Sequence, residues 1–254
     1  MNLANVSLSF YTHRQSVRKS LLFITFILFH VFKIFHLFFS PVLVVLACSQ
    51  GVMAGCFITF VLLFLSSVLL GRAFCGWICP GAGLQELCSL AITKKSRGVR
   101  WYKIKYAISS LWIGVMIYVL IRAQGFHRID LLWGMDISTP MQNFMMLFGV
   151  VMIVVPTAWL FGKWAFCHYI CWLAPLMIAG RIISDWMKWP SLRLQAERDR
   201  CVDCQLCDDR CPMSLDVSAM VKQGFMRNSE CILCGNCANA CPAHVIRYSF
   251  WKSN

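Results

Sequence analysis

Charged side chains are scarce in this sequence. Only 14% of the 254 residues are Asp, Glu, Lys or Arg, whereas 59% are hydrophobic. A soluble domain usually has about a quarter of its residues charged. Residues 37–71 and 137–162 contain no charged residue at all, and each run is long enough to cross a bilayer as a helix. These runs exclude an ordinary soluble protein and predict a membrane protein in contact with lipid.

Acidic residues are scarcer than basic ones. Eleven Asp and Glu residues stand against 24 Lys and Arg residues, which gives a formal net charge of +13. Nucleic-acid binding would be one explanation of such an excess. Here, however, the basic residues flank the apolar runs, where they set the orientation of membrane helices. We therefore expect no nucleic-acid partner.

Motifs of bond-making catalysis are also missing. The sequence contains no P-loop, no G-x-G-x-x-G following a strand and no flavin signature. Any turnover must then depend on bound redox groups rather than on a catalytic residue set. No catalytic residue is predicted, and the protein is expected to be an electron-transfer component, such as the quinol dehydrogenase subunit of a larger oxidoreductase.

Cysteine, by contrast, is abundant, with fifteen residues. CVDCQLCDDRCP and CILCGNCANACP both follow the spacing C-x2-C-x2-C-x3-C-P, which is that of bacterial ferredoxins with two [4Fe–4S] clusters. Zinc sites use C-x2-C pairs without a third evenly spaced cysteine and a fourth before proline. In the ferredoxin pattern the fourth cysteine of each run ligates the other cluster, and Gly235 eases a tight turn. The predicted iron ligands are Cys201, Cys204, Cys207 and Cys241 for cluster 1, and Cys231, Cys234, Cys237 and Cys211 for cluster 2.

Four further cysteines form two C-x3-C pairs, Cys75 with Cys79 and Cys167 with Cys171. They lie in the related segments LLGRAFCGWIC and LFGKWAFCHYIC, here called the boundary motifs, which indicate an internal repeat. Cysteines four residues apart share a helical face at a spacing wider than a disulfide prefers. Together the pairs could hold a cluster or a soft metal ion, act as a dithiol centre, or simply pack. The remaining cysteines, Cys48, Cys56 and Cys88, are expected to pack as apolar residues.

The apolar runs predict about four transmembrane helices, the first of them an uncleaved span. The segment at 38–55 is predicted as an outer turn or re-entrant piece, 122–140 as a loop and 181–200 as a polar linker. The predicted spans cover residues 20–37, 56–71, 106–121 and 141–160.

Basic residues predict the orientation of these spans. The N-terminal segment carries three Lys and Arg residues, 72–105 carries seven and the chain from 163 onward carries eleven, whereas 122–140 carries two. Only four spans with both termini in the cytoplasm place the basic segments on one side. We expect an α-helical protein of the cytoplasmic membrane with two parallel repeats (1–185), followed by a cytoplasmic α+β ferredoxin domain (186–254).

Two smaller patterns leave alternatives open. His30, Lys33 and His36 form a polar stripe in the first span, which could contact a quinone head group or relay protons. Alternatively, the lysine snorkels and the histidines pack in the bundle. Met141 and Met145 could bind Cu(I), although ordinary apolar packing is the stronger expectation.

The sequences FCGWICP, FCHYICW and the two ferredoxin runs resemble the NapH-like membrane polyferredoxins over nearly the whole chain. Trp172 stands where that family has the proline of its second C-x3-C-P. The resemblance implies electron transfer between the quinone pool and a redox partner protein through cytoplasmic clusters. The membrane cupric-reductase assembly factors of haem–copper oxidases share the ferredoxin part. A metal-ion reductase that serves cofactor assembly and a redox-sensing membrane regulator therefore remain alternative functions.

Overall fold

The computed structural model describes residues 3–31, 38–96, 101–134, 140–224 and 226–252. The helical region contains α1 (Leu3–Val31), α2 (Pro41–Ser49), α3 (Gly55–Leu70), α4 (Ala73–Trp77), α5 (Pro80–Ala91), α6 (Ile104–Arg122), α7 (Pro140–Phe161), α8 (Ala165–Tyr169) and α9 (Leu173–Trp186), with the short strands β1 (Val52–Ala54) and β2 (Arg128–Asp130). The C-terminal domain contains β3 (Pro190–Ala196), α10 (Leu206–Arg210), α11 (Val217–Lys222), α12 (Asn236–Ala240) and β4 (Ile246–Lys252).

One described helix, α6, is long and apolar enough to cross a membrane. It has 19 residues, and only 11% of its apolar window is buried within the protein. The apolar helix α3 has 16 residues and the apolar part of α7 covers Leu147–Phe161, so both are shorter. The predicted first span extends into residues 32–37, which lie outside the described residues. The total of four spans therefore stays a prediction.

The chain ahead of the first predicted span is helical, since α1 begins at Leu3. The predicted outer turn at 38–55 contains α2, which Ser40 caps by accepting the N–H of Leu43 at 3.3 Å. The strand β1 follows and pairs in parallel with β2, with Val52 opposite Arg128. This pairing joins the two connections that were predicted as an outer turn and a loop.

The prediction of a polar linker at 181–200 is wrong. This segment contains the end of α9 and strand β3, which pairs antiparallel with β4 from Pro190 opposite Lys252 to Ala196 opposite Ile246. Arg181 and Arg193 are buried, and both contact Asp185. In the sequence, charged residues such as these are typical of a solvated linker. In the fold, the charge of each arginine is offset by its ion pair with Asp185.

The two repeats exchange their last helices. Each repeat consists of a long helix, a short helix with a boundary motif, and a further helix: α3–α4–α5 and α7–α8–α9. The last helix of each repeat packs against the long helix of the other, since α9 contacts α3 and α5 contacts α7. A Cβ atom on Gly180 would collide with Ser67, so this glycine allows α9 to approach α3 closely.

The C-terminal domain packs against one end of the helical region. The helix α6 begins at that end, α3 and α7 finish there, and the middle of α1 contacts the domain. Basic side chains from helices and connections reach the domain, in contacts between Arg14 and Gly235, Arg72 and Glu230, Lys95 and Asp209, Lys105 and Glu230, and Lys163 and Asp209. The basic segments that were predicted to share one side therefore meet at one surface.

Candidate iron–sulfur sites

The two ferredoxin runs have matching backbone conformations. Two positions within each run and one just after it take a left-handed conformation with positive φ. Alternating right- and left-handed residues aim successive N–H groups into a concavity of the kind that binds anionic iron–sulfur groups. The matched positions are Asp203 with Leu233, Gln205 with Gly235, and Ser214 with His244. A buried leucine rarely adopts positive φ without a structural demand. The same unusual conformation at matched positions of both runs therefore fits two similar clusters.

The structure brings together the cysteines predicted for cluster 2. Burial raises the pKa of Cys237, and the charges of Cys234, Cys231 and Cys211 raise it further. The fourth cysteine of the first run therefore lies beside the first three of the second run. In the other set, burial, Asp208 and Cys241 together raise the pKa of Cys207 to about 11. The assignment of individual iron ligands remains a prediction that this arrangement supports.

The two ligand sets differ in their exposure. Cys211, Cys234 and Cys237 are buried, whereas Cys204 is exposed. Most of the first run faces solvent, including Val202 at 66% exposure. The second run is covered because it packs against the helical region, so the predicted cluster 2 lies on the helix side and cluster 1 on the solvent side.

The first boundary motif contacts the loop of the second run. Gly76 lies so close to this loop that a Cβ atom would collide with the carbonyl oxygen of Ile232. The indole N–H of Trp77 donates to the carbonyl of Leu233 at 3.0 Å, and Gln15 donates to the carbonyl of Cys234 at 3.0 Å. These contacts join α1 and α4 to the cysteines of cluster 2.

The second boundary motif contacts the same ligand set from another direction. The ring Nε2 of His168 lies 2.7 Å from the carbonyl oxygen of Met213. Met213 follows Cys211 and Pro212, so this hydrogen bond holds the loop that carries the fourth predicted ligand of cluster 2. Both motifs therefore meet the cysteines of cluster 2.

The boundary motifs themselves share a local geometry. In the first, the carbonyl of Phe74 accepts the N–H groups of Ile78 and Cys79, each at 3.0 Å. In the second, the carbonyl of Phe166 accepts those of Ile170 and Cys171 at 3.0 and 2.9 Å. This shared pattern at the two C-x3-C pairs places each second cysteine at the start of the next helix.

The two pairs converge on one place. Burial raises the pKa of Cys167, and the charges of Cys171, Cys79 and Cys75 raise it further. Burial likewise raises the pKa of Cys79, with further contributions from Cys75 and Cys171. Thiols from both repeats are thus neighbours, and a shared redox or metal site at the two pairs stays a prediction. Among the described residues, no three His, Cys, Asp or Glu side chains are grouped closely enough to hold a single metal ion.

The two C-x3-C pairs together are here called the four-cysteine site. A largely buried ion triad links this site to cluster 2, and few features of the sequence indicated it. Arg72 Nη1 lies 2.9 Å from Glu230 Oε2, and Lys105 contacts the other oxygen of Glu230. Burial would lower the pKa of Arg72, but the charges of Cys75, Glu230 and Cys167 hold it above its ordinary value. Two features of the sequence could have indicated the triad: the basic residue after glycine in each boundary motif, and the position of Glu230 beside Cys231.

The structure also bears on the three remaining cysteines, the two methionines and the polar stripe of the first predicted span. Cys48 and Cys56 are buried in the apolar core, which confirms their predicted packing, and Cys88 is half-buried. Met141 and Met145 are 64% and 58% exposed at the start of α7. For the proposed quinone stripe, Lys33 and His36 lie outside the described residues, as does the side chain of His30.

Comparison with protein families agrees with this arrangement. A family model described as "4Fe-4S binding domain" matches residues 52–100 and again 142–190, which are the two repeats with their boundary motifs. A second model, "4Fe-4S dicluster domain", matches residues 193–245. Together they cover the helical repeats and the ferredoxin runs. No solved structure matches the chain.

Several named proteins are similar to the chain. YccM of Escherichia coli, named for electron transport, is 28% identical across 78% of this chain and 57% of its own length. The regulatory protein NosR of Stutzerimonas stutzeri is 29% identical across 75% of this chain, which spans only 27% of NosR. The ferredoxin-type protein NapH of Haemophilus influenzae is 21% identical across 72% of this chain and 64% of its own length. The matched models, relatives and cysteine sets together show 4Fe-4S ferredoxin-type domains, and the chain is similar to iron–sulfur electron-transport proteins of the NapH-like type.

Proposed function

We propose that the protein passes electrons between a membrane quinone and a redox partner protein at the cytoplasmic face. The observation that carries this proposal is the order of its cysteine sets. The four-cysteine site lies at the end of the helices, the cysteines of cluster 2 pack against it, and the cysteines of cluster 1 are half-buried except for Cys204, which is exposed. This order leads from the helical region to a surface that a soluble protein can reach.

The residues of the chain hold and insulate the clusters. Bound [4Fe–4S] clusters supply one-electron redox chemistry. The left-handed turns at Leu233 and Gly235 direct backbone N–H groups toward the thiolates, and the contacts of Gly76 and Trp77 exclude water from the helix side. On the other side, the exposure of Cys204 leaves cluster 1 open to a partner.

An apolar cleft beside the first boundary motif offers a place for the quinone. The cleft has a volume of about 630 Å³ and opens on the side of α3. Its lining combines Leu62, Leu63 and Leu70 of α3 with Phe74, Trp77 and Ile78 of the boundary motif. A mostly apolar cleft suits an isoprenoid quinone, and its walls include the residues next to Cys75 and Cys79.

Purified protein allows a direct test of this proposal. A reduced quinol analogue is added anaerobically and the clusters are followed by EPR, and quinone bleaching by chemically reduced protein is measured in parallel. We expect electron exchange in both experiments. If neither quinol nor quinone exchanges electrons with the clusters while Cu(II) does, the metal-reductase function takes its place.

A matched pair of variants tests the cleft. Leu62→Trp fills the cleft and should lower the apparent affinity for the quinol about tenfold or more, equivalent to about 1.4 kcal/mol. Leu111→Trp makes the same change on the exposed face of α6, at 71% exposure, and should leave the affinity unchanged. Equal kinetics in both variants and the wild type would contradict a quinone site in this cleft.

Redox regulation is a second candidate function, favoured by the name of the similar protein NosR, "Regulatory protein". A regulator would change its binding to a protein partner when the clusters change oxidation state. Pull-down from membranes with oxidised and reduced protein separates the two functions. A partner that binds in only one oxidation state, without quinol exchange, would favour regulation.

A further inference from the structure

We infer that Cys75, Cys79, Cys167 and Cys171 bind one additional four-iron cluster, with two ligands from each repeat. The inference rests on the proposed electron-carrier function and adds to it the cofactor at the end of the helical region. It goes beyond the two clusters of the C-terminal domain. The four cysteines come from two repeats that the chain folds against each other, so neither repeat alone could complete the site.

The thiols have the surroundings of cluster ligands. Burial raises the pKa of the Cys79 thiol, and the nearby backbone N–H groups of Ala82 and Gly81 in the first turn of α5 lower it in part. The first turn of α9 does the same for Cys171. Helix N-termini stabilise negative charge, so at both second cysteines a thiolate costs less than burial alone would impose. The related geometry in the two repeats gives the site approximate twofold symmetry.

Three buried donors in and next to the boundary motifs lack an acceptor among the described residues. The indole N–H groups of Trp164 and Trp172 and the Nε–H of Arg72 are buried and have no hydrogen-bond acceptor among the described residues. All three belong to the boundary motifs or follow them directly. Buried donors are nearly always paired in native proteins, and the sulfides and thiolates of a cluster would accept these N–H groups.

The charges around the site also match a cluster. Four bare thiolates could not remain together in a buried place without cations. Arg72 and Lys105 lie within electrostatic reach of Cys75 and Cys171, respectively. A cluster core supplies further positive charge, and these two side chains offset part of the negative charge that remains.

Iron and sulfide analysis of anaerobically purified, full-length protein tests the inference. We expect about twelve iron per chain, since three clusters carry about four each. The double variant Cys79→Ala/Cys171→Ala should lose about four iron and one EPR signal. The control Cys48→Ala/Cys56→Ala removes two buried cysteines elsewhere in the helical region and should keep the wild-type iron content and spectrum.

Several results would overturn the inference. A fully loaded wild type with about eight iron, with or without one zinc or copper ion, would show that the site holds no cluster. A gain of only about two iron over the C-terminal clusters would contradict the four-iron form. If the double variant fails to fold, the wild-type stoichiometry still decides. Eight iron with intact quinol exchange would reject this inference alone, whereas twelve iron without exchange would reject the proposed function alone.

Discussion

At the scale of single residues, close approach rather than turn geometry explains Gly235. The sequence suggests that glycine eases a tight turn there, yet Gln205 takes the same left-handed conformation at the matching position of the first run, with φ of 58° against 74°. A Cβ atom on Gly235 would lie 2.6 Å from the hydroxyl oxygen of Tyr248 and 3.1 Å from Nη2 of Arg14. The glycine is therefore required by the packing of the second run.

This difference gives a prediction with a matched control. Gly235→Ala should lower the free energy of unfolding by about 1–3 kcal/mol, from backbone strain and the collision with Tyr248. Gln205→Ala, in the same conformation at an exposed position, should change it by less than about 0.5 kcal/mol. Thermal unfolding of the loaded protein under anaerobic conditions measures both. Equal changes in the free energy of unfolding at the two positions would show that turn geometry, and not the close approach of Tyr248, explains the glycine.

Residue patterns explain which parts of the site the sequence could predict. The spacing of Cys231, Cys234 and Cys237 is local, because one short loop supplies three cluster ligands, and such a pattern is visible in the sequence. The ion pair between Arg72 and Glu230 joins positions 158 residues apart. No local pattern specifies such a partner, so the ion triad emerges only from the folded chain.

At the scale of helices, the exchange of last helices between repeats depends on close packing. Gly180→Ala should lower the free energy of unfolding by about 1–3 kcal/mol, because the added methyl group meets Ser67 and the carbonyl oxygen of Phe64. Gly149→Ala in α7 adds the same group where no atom lies within 4 Å. That control should be neutral or stabilising by up to about 1 kcal/mol. Melting temperatures in detergent compare the two variants.

Helix periodicity and composition predicted the long helices more reliably than the connections between them. The predicted third span at 106–121 corresponds to α6, because an isolated apolar run has no other stable conformation in lipid. Residues 181–200 were misassigned because their charges resemble those of a solvated linker. In the fold they form ion pairs with Asp185 and hydrogen bonds between β3 and β4.

At the scale of the whole molecule, the meeting of basic segments at one surface supports a four-span arrangement with both termini in the cytoplasm. Residue Asp130 in β2 lies beyond the far end of α6, whereas the chain terminus follows the C-terminal domain. A phosphatase reporter that is active only in the periplasm should be active when fused at Asp130 and inactive at Asn254. Activity at Asn254 would contradict this orientation.

The proposed electron path reaches a soluble partner at cluster 1, whose predicted ligand Cys204 is exposed. Quinol-dependent reduction of cytochrome c, used as a soluble acceptor protein, tests this path in the wild type and in Cys204→Ala, with EPR confirming that cluster 2 is retained. Cluster 2 should still be reduced by quinol in the variant, while cytochrome c reduction should fall at least about tenfold, equivalent to about 1.4 kcal/mol in activation free energy. An unchanged rate of cytochrome c reduction in Cys204→Ala would rule out this path.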